Sequence, residues 1–273
     1  MDVSIVITCW NGRGLLEKNL PKVIEASKSK ENLIKEIIVV DDGSTDGSVD
    51  FLCEKYPQVR VIKQEKNYGY SSTCNRGVKD AKGELVAILN LDVIPSKNFL
   101  VSSVLKFDNK SVFAVSFNEG HFGPGKIVWK SGFMEIIPRE PVKEVVAADW
   151  ASGGSSVFRK QYWMELGGMD KIYLPFYFED IDLGLKAKKR GYLCLWDPES
   201  KVEHRHESTI NPNNFKKEYI QRIKERNHLL LTWKNINNPL MAITHLYFLG
   251  KRCLFSPGYI KIVFLALFRI INN

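Results

Sequence analysis

Hydrophobic and polar positions follow two alternating patterns along the first 95 residues. Short runs rich in Val and Ile alternate with longer segments whose apolar residues recur at helical spacing. Strands that are apolar on both faces and alternate with helices predict an α/β fold with a mostly parallel central sheet flanked by helices. The predicted strands are Val3–Ile7, Ile37–Val40, Arg60–Ile62 and Leu85–Leu89, and the predicted helices are Leu15–Ala26, Ser48–Tyr56 and Ser71–Ala81.

The pattern is more mixed after residue 96, where short strands and helices replace the regular alternation. The sequence has no internal repeat and no linker composition, which favours one domain through about residue 206, followed by a helical tail. We expect strands at Val112–Phe117, Lys126–Trp129 and Tyr192–Trp196, a loop entering a strand over Trp150–Phe158, and helices over Lys160–Leu166, Asp180–Arg190 and Asn214–Lys234.

Composition excludes several classes of protein. The 273 residues are 44% hydrophobic and 26% charged with 11 prolines, which argues against disordered, collagen-like and low-complexity chains. The five cysteines are scattered and form no Cys-x-x-Cys pair, so they predict neither a disulfide framework nor a thiolate zinc site. A reducing compartment fits this cysteine usage best.

Net charge is uneven along the chain. Residues 1–212 carry 29 basic and 29 acidic side chains, whereas residues 213–273 carry 10 basic and 2 acidic ones. Because the basic residues of the tail alternate with Leu, Ile and Phe, we expect contact with an anionic membrane surface and no binding of nucleic acid. The alternatives are a solvated helix face, or a tail that packs on the domain or in a dimer.

The sequence carries no recognisable targeting or membrane-spanning signal. Residues 1–4 run directly into the first predicted strand without a basic region. The apolar stretch Ile260–Ile271 is short and is interrupted by Lys261 and Arg269. We therefore expect a cytoplasmic protein that is peripheral on the inner face of the plasma membrane.

Polar clusters follow all four strands predicted in the first 95 residues. Ligands of open parallel sheets bind at such strand ends, although each cluster by itself is also typical of a turn. Neither a Gly-x-Gly-x-x-Gly fingerprint nor a Gly-x-x-x-x-Gly-Lys phosphate loop is present, so phosphate charge needs another partner. We expect Asp92 to hold Mg²⁺ or Mn²⁺ for that purpose. The clusters are Thr8–Asn11, Asp41–Ser44, Asn67–Gly69 and Asn90–Asp92.

A second acidic group, Glu179–Asp182, precedes a predicted helix and follows the aromatic residues Phe176–Phe178. Partial desolvation beside aromatic side chains raises the pKa of a carboxyl group, so Asp180 is a candidate base for a substrate hydroxyl. His204 follows a strand and turn and is a candidate metal ligand, with His206 as its rival by proximity.

In this order the clusters resemble the inverting glycosyltransferases of family 2, which have the GT-A fold, and especially the rhamnosyltransferase-like members. The resemblance implies a catalytic domain over residues 1–208, with a Rossmann-like nucleotide-sugar half over about 1–95 and an acceptor half over about 96–208. A basic, partly apolar helical tail covers 209–273. The matching stretches are Ser4–Asn11, Val39–Gly47, Asn67–Gly69 with Asn75 and Gly77, Leu89–Asp92, Ser152–Gly154, Gly167–Asp170, Phe178–Leu183 and Val202–His204.

The resemblance implies a UDP- or dTDP-sugar donor, Mg²⁺ or Mn²⁺, and a single displacement that inverts the anomeric carbon. It implies that Asp180 is the general base, that Glu179 is its acidic neighbour, and that Asp92 and His204 contact the metal. The positions that match nucleotide-sugar-binding residues are Thr8, Trp10, Asn11, Asp41, Asp42, Asn67, Gly69, Asn75, Asn90, Asp92, Gly153 and Gly154.

The acceptor implied by the resemblance is a glycan or a lipid-linked saccharide, as used in the synthesis of cell-envelope polysaccharide. Trp150 and Asp149 are the candidates for binding it, because they adjoin the loop with Gly153 and Gly154 that the family places near donor and acceptor.

One position departs from the family pattern, since the usual Asp-x-Asp motif reads Asn90-Leu91-Asp92 here. This change bears on the donor and on metal affinity, and it favours one alternative, a non-catalytic partner module that binds nucleotide sugars. The presence of Asp92, Asp180 and His204 favours an active enzyme instead. A nucleotidyltransferase is a third hypothesis, but the segment Asn11–Gly14 is a poor match to the Gly-rich, basic phosphate loop of that class.

Overall fold

The computed structural model describes residues 1–205, 207 and 215–272. Each strand and helix predicted within residues 1–89 is present, with ends that differ by three residues at most. The strands are β1 (Val3–Cys9), β2 (Ile34–Asp41), β3 (Arg60–Lys63), β4 (Leu85–Leu89), β5 (Val93–Pro95), β6 (Val112–Asn118), β7 (Lys126–Lys130), β8 (Phe133–Ile137), β9 (Val146–Ala148), β10 (Ser155–Arg159) and β11 (Leu193–His204). The helices are α1 (Arg13–Ser27), α2 (Ser48–Lys55), α3 (Tyr70–Asp80), α4 (Val101–Lys106), α5 (Lys160–Glu165), α6 (Glu179–Lys189), α7 (Lys217–Asn235), α8 (Pro239–Phe255) and α9 (Tyr259–Ile271).

One central sheet organises the body of the molecule. Within the described part of the chain it has nine strands in the order β3-β2-β1-β4-β10-β6-β11-β5, with β9 also paired to β11. Strands β3, β2, β1 and β4 are parallel, as is the β6–β11 pair, whereas β10 runs antiparallel between β4 and β6. This arrangement confirms the expected α/β architecture. Strands β7 and β8 form a separate hairpin.

The two faces of the sheet are covered by different helices. Along β1, Ile5 and Ile7 belong to the core that includes Leu20 of α1, while Val6 belongs to the core that includes Val78 of α3. Successive strand residues point to opposite faces, so a strand that is apolar at every position packs on both sides. Because both faces of β1 are buried, the polar residues at its carboxyl end are the ones that remain available to a ligand.

The first helix of the tail packs on the body. Leu229, Leu230 and Leu231 of α7 are fully buried in a third core, shared with Phe133 of β8 and Leu185 of α6. Helices α8 and α9 continue from it and keep many large apolar side chains exposed. Over the described ranges, no helix has both the length and the apolar character needed to cross a bilayer.

Candidate active site

The loops after β1, β2, β3 and β4 line a cleft of about 280 Å³, which we call the first cleft. Aromatic side chains from the segment before α6 and from the start of α7 also line it. The cleft lies at the edge where a parallel sheet presents its polar strand-end loops. Its lining residues are Thr8, Cys9, Trp10, Leu15, Asp42, Asn67, Gly69, Tyr70, Thr73, Asn90, Leu91, Asp92, Pro175, Phe176, Phe215 and Tyr219.

Asp42 ties together the loops beside the first cleft. Its backbone N–H donates to the carbonyl of Cys9, at the end of β1, at 2.7 Å. Its carboxylate accepts hydrogen bonds from the backbone N–H groups of Tyr68 and Gly69 at 2.7 and 2.9 Å, and from the Gln64 amide at 2.8 Å. Burial raises the pKa of Asp42, and the backbone hydrogen bonds oppose that rise.

Five residues expected to bind the nucleotide sugar lie outside the lining of the first cleft, namely Asn11, Asp41, Asn75, Gly153 and Gly154. The first three hold the backbone around it. Asn11 Oδ1 accepts from the N–H of Thr45 at 2.8 Å. Asp41 is fully buried and accepts from a backbone N–H of its own turn at 3.0 Å. The Asn75 side chain bonds both the N–H and the carbonyl of Met169.

His204, the last residue of β11, lies between two carboxylates. Its Nε2 is 3.3 Å from Asp92 Oδ1, and its Nδ1 is 2.9 Å from Glu119 Oε2. The pairing of β11 with β5 sets His204 opposite Val93 and so beside Asp92. Burial works against a charged imidazole, but the two carboxylates raise the pKa of His204 to about 9.

Asn90 is held in place by the loop with Gly153 and Gly154, which approaches it closely. Its backbone N–H donates to the Gly154 carbonyl at 2.8 Å. A Cβ atom on Gly154 would lie 2.1 Å from Asn90 Nδ2, so this position admits only glycine while Asn90 keeps its rotamer. The Tyr70 hydroxyl lies 3.0 Å from Asn90 Oδ1 and 2.8 Å from the carbonyl of Gly153.

Asp180, near the start of α6, is oriented by the backbone. Its Oδ2 accepts from the Gly153 N–H at 3.0 Å, and its Oδ1 accepts from the Ile181 N–H at 2.9 Å. Burial raises the pKa of Asp180. Burial, and then the charge of Asp180, raise the pKa of Glu179 to about 8. Glu179 Oε2 is buried with no hydrogen-bond partner in the described residues, which suits a carboxyl group that holds its proton at neutral pH.

A second cleft, also of about 280 Å³, contains Asp180 and Glu119 in its wall. Trp150 lines it too, and its ring packs so closely that a Cβ atom on Gly125 would lie 2.7 Å from it. The lining residues are Ser116, Phe117, Glu119, Phe122, Gly123, Pro124, Gly125, Ile136, Ile137, Pro138, Arg139, Trp150, Ser152, Asp180 and Trp196.

Asp149 lies behind the lining of the second cleft. Its buried carboxylate pairs with Lys188 and accepts from the Ile127 N–H at 2.8 Å, and its own N–H donates to the Gly125 carbonyl. Although burial opposes ionisation, the Ile127 N–H and Lys188 keep the pKa of Asp149 below its usual range. Asp149 therefore fixes the β7 hairpin beside Trp150.

The two clefts are connected by two chains of polar contacts. Each chain begins at a residue of the first cleft and ends at a carboxylate of the second cleft, so the clefts share a wall. One chain is Asp92–His204–Glu119, and the other is Asn90–Tyr70–Gly153–Asp180.

Comparison with known proteins places this arrangement in a family. A family model described as Glycosyl transferase family 2 matches residues 4–164, which is more than half of the chain. The chain belongs to glycosyltransferase family 2.

The relatives with specific names include two bacterial glycosyltransferases. The chain is 35% identical over 231 residues to the poly(ribitol-phosphate) beta-glucosyltransferase of Bacillus spizizenii, a match that covers 79% of this chain and 35% of that protein. It is 25% identical over 203 residues to the N-acetylglucosaminyl-diphospho-decaprenol L-rhamnosyltransferase of Mycobacterium tuberculosis, with 62% of this chain and 66% of that protein covered. The chain thus spans between about a third and two thirds of the length of these relatives.

A solved structure confirms the GT-A fold of this family-2 chain. The crystal structure of GalNAc-T7 with UDP, GalNAc and Mn²⁺ matches with a TM-score of 0.67 at 18% identity, over 85% of this chain and 47% of that one. At this level of identity the likeness shows the fold alone.

The Asp92 side of this family-2 site has a donor set that fits a divalent cation. Asp92 Oδ2 is buried and has no hydrogen-bond partner in the described part of the chain, and the imidazole of His204 is within 3.3 Å of the other oxygen. Residues 1–205, 207 and 215–272 contain no group of three or more His, Cys, Asp or Glu side chains that could hold a metal. A cation here would have few protein ligands and would need diphosphate oxygens to complete its shell, as Mg²⁺ commonly does.

Two residues of the site were missed by sequence reasoning. Glu119 follows β6 and Tyr70 begins α3, and no motif marks either of them. Tyr70 directly follows the Asn67–Gly69 cluster, so its position was an available signal. Glu119 had none, because only the pairing of β6 with β11 brings it toward His204. His206, the rival for the metal, lies outside the described residues.

Proposed function

We propose that this chain is an inverting glycosyltransferase that moves a sugar from a UDP- or dTDP-linked donor in the first cleft to an acceptor hydroxyl in the second cleft. The observation that carries the proposal is the shared wall, with Asp92 facing one cleft and Asp180 facing the other. A donor and an acceptor held on the two sides would meet between a diphosphate-binding end and a carboxylate base.

The residues around Asp42 support a donor that carries UDP or dTDP. Its Oδ2 accepts a single backbone hydrogen bond, so a lone pair remains for the imide N–H of uracil or thymine. Thr8, Trp10 and Asn67 line the same cleft. GalNAc-T7, which shares the fold, was solved with UDP and Mn²⁺.

Asp92 and His204 are the residues that would hold Mg²⁺ or Mn²⁺. When bound, such a cation offsets the negative charge that grows on the departing nucleoside diphosphate. The protein's own contribution is to leave Asp92 Oδ2 without a hydrogen-bond partner among the described residues, while the other oxygen is engaged by His204. Asn90, which stands where the family pattern has a carboxylate, contributes a neutral amide that bonds Tyr70.

Asp180 is the proposed base. Its carboxylate accepts two backbone N–H bonds and keeps lone pairs for an acceptor hydroxyl, whose proton it takes as the new C–O bond forms. Burial raises the pKa of Glu179 to about 8, which disfavours a second negative charge beside the base. Proton transfer of this kind contributes a rate factor of about 10²–10⁴.

The acceptor is proposed to be a glycan or a lipid-linked saccharide of cell-envelope polysaccharide synthesis. The relatives named above act, by their names, on poly(ribitol phosphate) and on a diphospho-decaprenol-linked sugar. Trp150 in the second cleft offers an aromatic face to a sugar ring, and Asp149 holds the adjoining hairpin in place.

Peripheral contact with the cytoplasmic face of a membrane is part of the proposal. The exposed apolar side chains of α8 and α9 recur at intervals of three and four residues, opposite the buried His245 of α8 and Ala266 of α9. No acidic residue occurs after Arg226, which favours an anionic lipid surface as the partner. The exposed residues of these stripes are Leu240, Ile243, Leu246, Tyr247, Leu254, Phe255, Ile260, Phe264, Leu267, Phe268 and Ile271.

A donor screen tests the reaction. Purified protein with Mn²⁺ or Mg²⁺ is given UDP-, dTDP- and GDP-sugars, and release of the nucleotide is measured beside Asp92→Ala, Asp180→Ala and the exposed control Asp108→Ala. Release that needs the metal and falls in the first two variants only would support the enzyme and identify its donor. If calorimetry detects nucleotide binding but the panel gives no release, the non-catalytic partner module is favoured. The absence of binding would refute the donor site.

Vesicle flotation tests the membrane contact. The double variant Phe264→Glu with Phe268→Glu should lose recovery with anionic vesicles, whereas Leu105→Glu, an equally exposed position on α4, should not. Equal recovery of all three proteins would contradict the contact. A change in sedimentation of the double variant, without any vesicle binding by the wild type, would indicate a dimer interface.

A further inference from the structure

The turn that leads into Asp180 has an uncommon backbone. Tyr177 and Phe178 have φ angles of 76° and 77°, in the left-handed region that bulky residues rarely adopt. Such a conformation persists only where surrounding contacts determine it. The next two residues are Glu179 and Asp180, so the path of this turn sets where the carboxylates of α6 begin.

A single buried side chain of α7 holds the turn. Asn227 is fully buried, and its Nδ2 donates to the carbonyls of Tyr173, Phe176 and Tyr177 at 2.6, 2.9 and 3.0 Å. The amide has two N–H groups for these three acceptors, so one N–H is shared. The three carbonyls thus depend on one amide.

Neighbouring residues of α7 extend this contact. Arg226 Nη2 donates to Asn227 Oδ1 at 2.8 Å, which fixes the orientation of the amide, and it also donates to the carbonyl of Leu174. Seven residues further on, Lys234 Nζ lies 2.9 Å from Asp182 Oδ2 in the first turn of α6. Helix α7 therefore forms hydrogen bonds with the turn and an ion pair with the start of α6, the helix that carries Asp180.

We propose that Asn227 is a positioning residue for Asp180, so that α7, which lies beyond the residues matched by the family, is part of the catalytic architecture. The inference rests on the proposed role of Asp180 as base. Without the amide, the three carbonyls lose their donor and the turn relaxes from its left-handed conformation. A misplacement of the base by about 1 Å is enough to lower the rate about 10²-fold.

Binding of the nucleotide should depend much less on Asn227. Asp42 and Asp92 lie just after the ends of β2 and β4, and the residues that contact their carboxylates, Gln64, Tyr68, Gly69 and His204, lie outside the turn. Pro175 and Phe176, which precede the turn, line the first cleft, so their displacement affects apolar contacts there. Positioning therefore predicts a fall in kcat with a small change in the Kd for UDP.

The test compares Asn227→Ala with Asn235→Ala. Asn235 is also a buried amide of α7, but its Nδ2 donates within the helix, to the Leu231 carbonyl. Both variants remove a buried amide, so both lose stability, and both are assayed at a temperature where circular dichroism shows them folded. We expect kcat for release of the nucleotide from the donor to fall about 30- to 100-fold in Asn227→Ala and less than about 3-fold in Asn235→Ala. The Kd for UDP should change less than about 3-fold in both.

A structural readout keeps the inference separate from the proposed reaction. The N–H groups of Gly153 and Ile181 donate to Asp180, and their hydrogen exchange should accelerate at least about 10-fold in Asn227→Ala but not in Asn235→Ala. If the wild type transfers no sugar, the proposed function fails, and exchange still decides whether Asn227 positions Asp180. If Asn227→Ala does not fold, Arg226→Gln replaces it, with a smaller rate loss of about 3- to 10-fold expected. Equal kcat and equal exchange in the two amide variants would overturn the proposal.

Discussion

His204 Nδ1 lies 2.9 Å from Glu119 Oε2, which orients the imidazole so that Nε2 faces Asp92. A histidine that ligates a metal usually donates its other N–H to a carboxylate or carbonyl, and this second contact fixes both tautomer and ring orientation. Glu119 also accepts from the Ser155 hydroxyl, so its own position is determined. Glu119, which lines the second cleft, thereby orients His204, the proposed metal ligand beside Asp92.

Removing the Glu119 carboxylate should weaken metal binding. We expect Glu119→Ala to raise the Kd for Mn²⁺, measured by electron paramagnetic resonance in the presence of UDP, by about 10- to 100-fold. Glu119→Gln should raise the Kd for Mn²⁺ less than Glu119→Ala does, since its amide oxygen still accepts from His204 Nδ1. The exposed Glu54→Ala on α2 serves as control. Identical Mn²⁺ affinities in the two alanine variants would contradict the role of Glu119.

The first half of the chain was predictable because its signals are local. Strand β4 is Leu85–Leu89 in both prediction and structure, and residues of the polar clusters that follow β1, β2, β3 and β4 do meet in one cleft. Five consecutive buried apolar residues identify a central strand without knowledge of its partners. The position of the cleft then follows from the parallel direction of the strands.

The second half was less predictable because its contacts join distant segments. Strands β5 and β9 have three residues each, too few for a period to be recognised. The link between Glu119 and His204 requires that β6 and β11 be neighbours, which no local pattern states. The sequence allowed the tail helix that carries Asn227 to pack on the domain, but for the same reason it did not identify the contact of Asn227 with the turn before Asp180.

The Glu179–Asp180 pair should make stability depend on pH. Burial raises the pKa of both carboxyl groups, that of Glu179 to about 8. The folded chain therefore binds more protons than the unfolded chain between about pH 4.5 and 8, and the free energy of unfolding falls as pH rises through that window. Each additional proton that the folded chain binds lowers the free energy of unfolding by about 1.4 kcal/mol for every pH unit of increase.

Glu179→Gln removes the share of this dependence that comes from Glu179, because the amide stays neutral, and leaves the share of Asp180. Its melting temperature should decline less than that of the wild type between pH 6 and pH 8, by roughly 2–4 °C per pH unit. Glu165→Gln, at an exposed carboxyl group, should follow the wild type. Parallel melting curves for wild type and Glu179→Gln across this range would show that Glu179 is ionised in the folded chain.

Gly154→Ala should disturb the first cleft through Asn90. The added Cβ would lie 2.1 Å from Asn90 Nδ2 and 2.4 Å from its Cγ, so the Asn90 side chain must move. Overpacking of this kind costs about 1–3 kcal/mol of folding stability. Asn90 lines the first cleft, so its displacement should also raise the Kd for UDP, measured by calorimetry, by up to about 150-fold if the whole clash opposes binding.

The double variant Gly154→Ala with Asn90→Ala should recover most of the UDP affinity, because it removes the side chain that clashes. Gly250→Ala in α8 is the matched control, since a Cβ there meets no atom within 4 Å. If the double variant binds UDP as weakly as Gly154→Ala, the defect lies in the backbone of the Gly153–Gly154 loop and not in the contact with Asn90.

Two variants at Asp149 should separate its hydrogen bond from its charge. Asp149 Oδ2 accepts from the Ile127 N–H at 2.8 Å, and Oδ1 pairs with Lys188, a residue that is well exposed. An exposed partner limits the worth of the ion pair to about 0–1 kcal/mol, whereas a buried N–H left without an acceptor costs about 1–3 kcal/mol. Asp149→Asn keeps an acceptor oxygen and should lower the melting temperature less than Asp149→Ala does.

Hydrogen exchange at Ile127 should accelerate in the alanine variant only, since there alone the β7 hairpin loses its hydrogen bond to the segment that carries Trp150. Equal melting temperatures for the two variants would mean that charge, and not the bond to Ile127, fixes the hairpin.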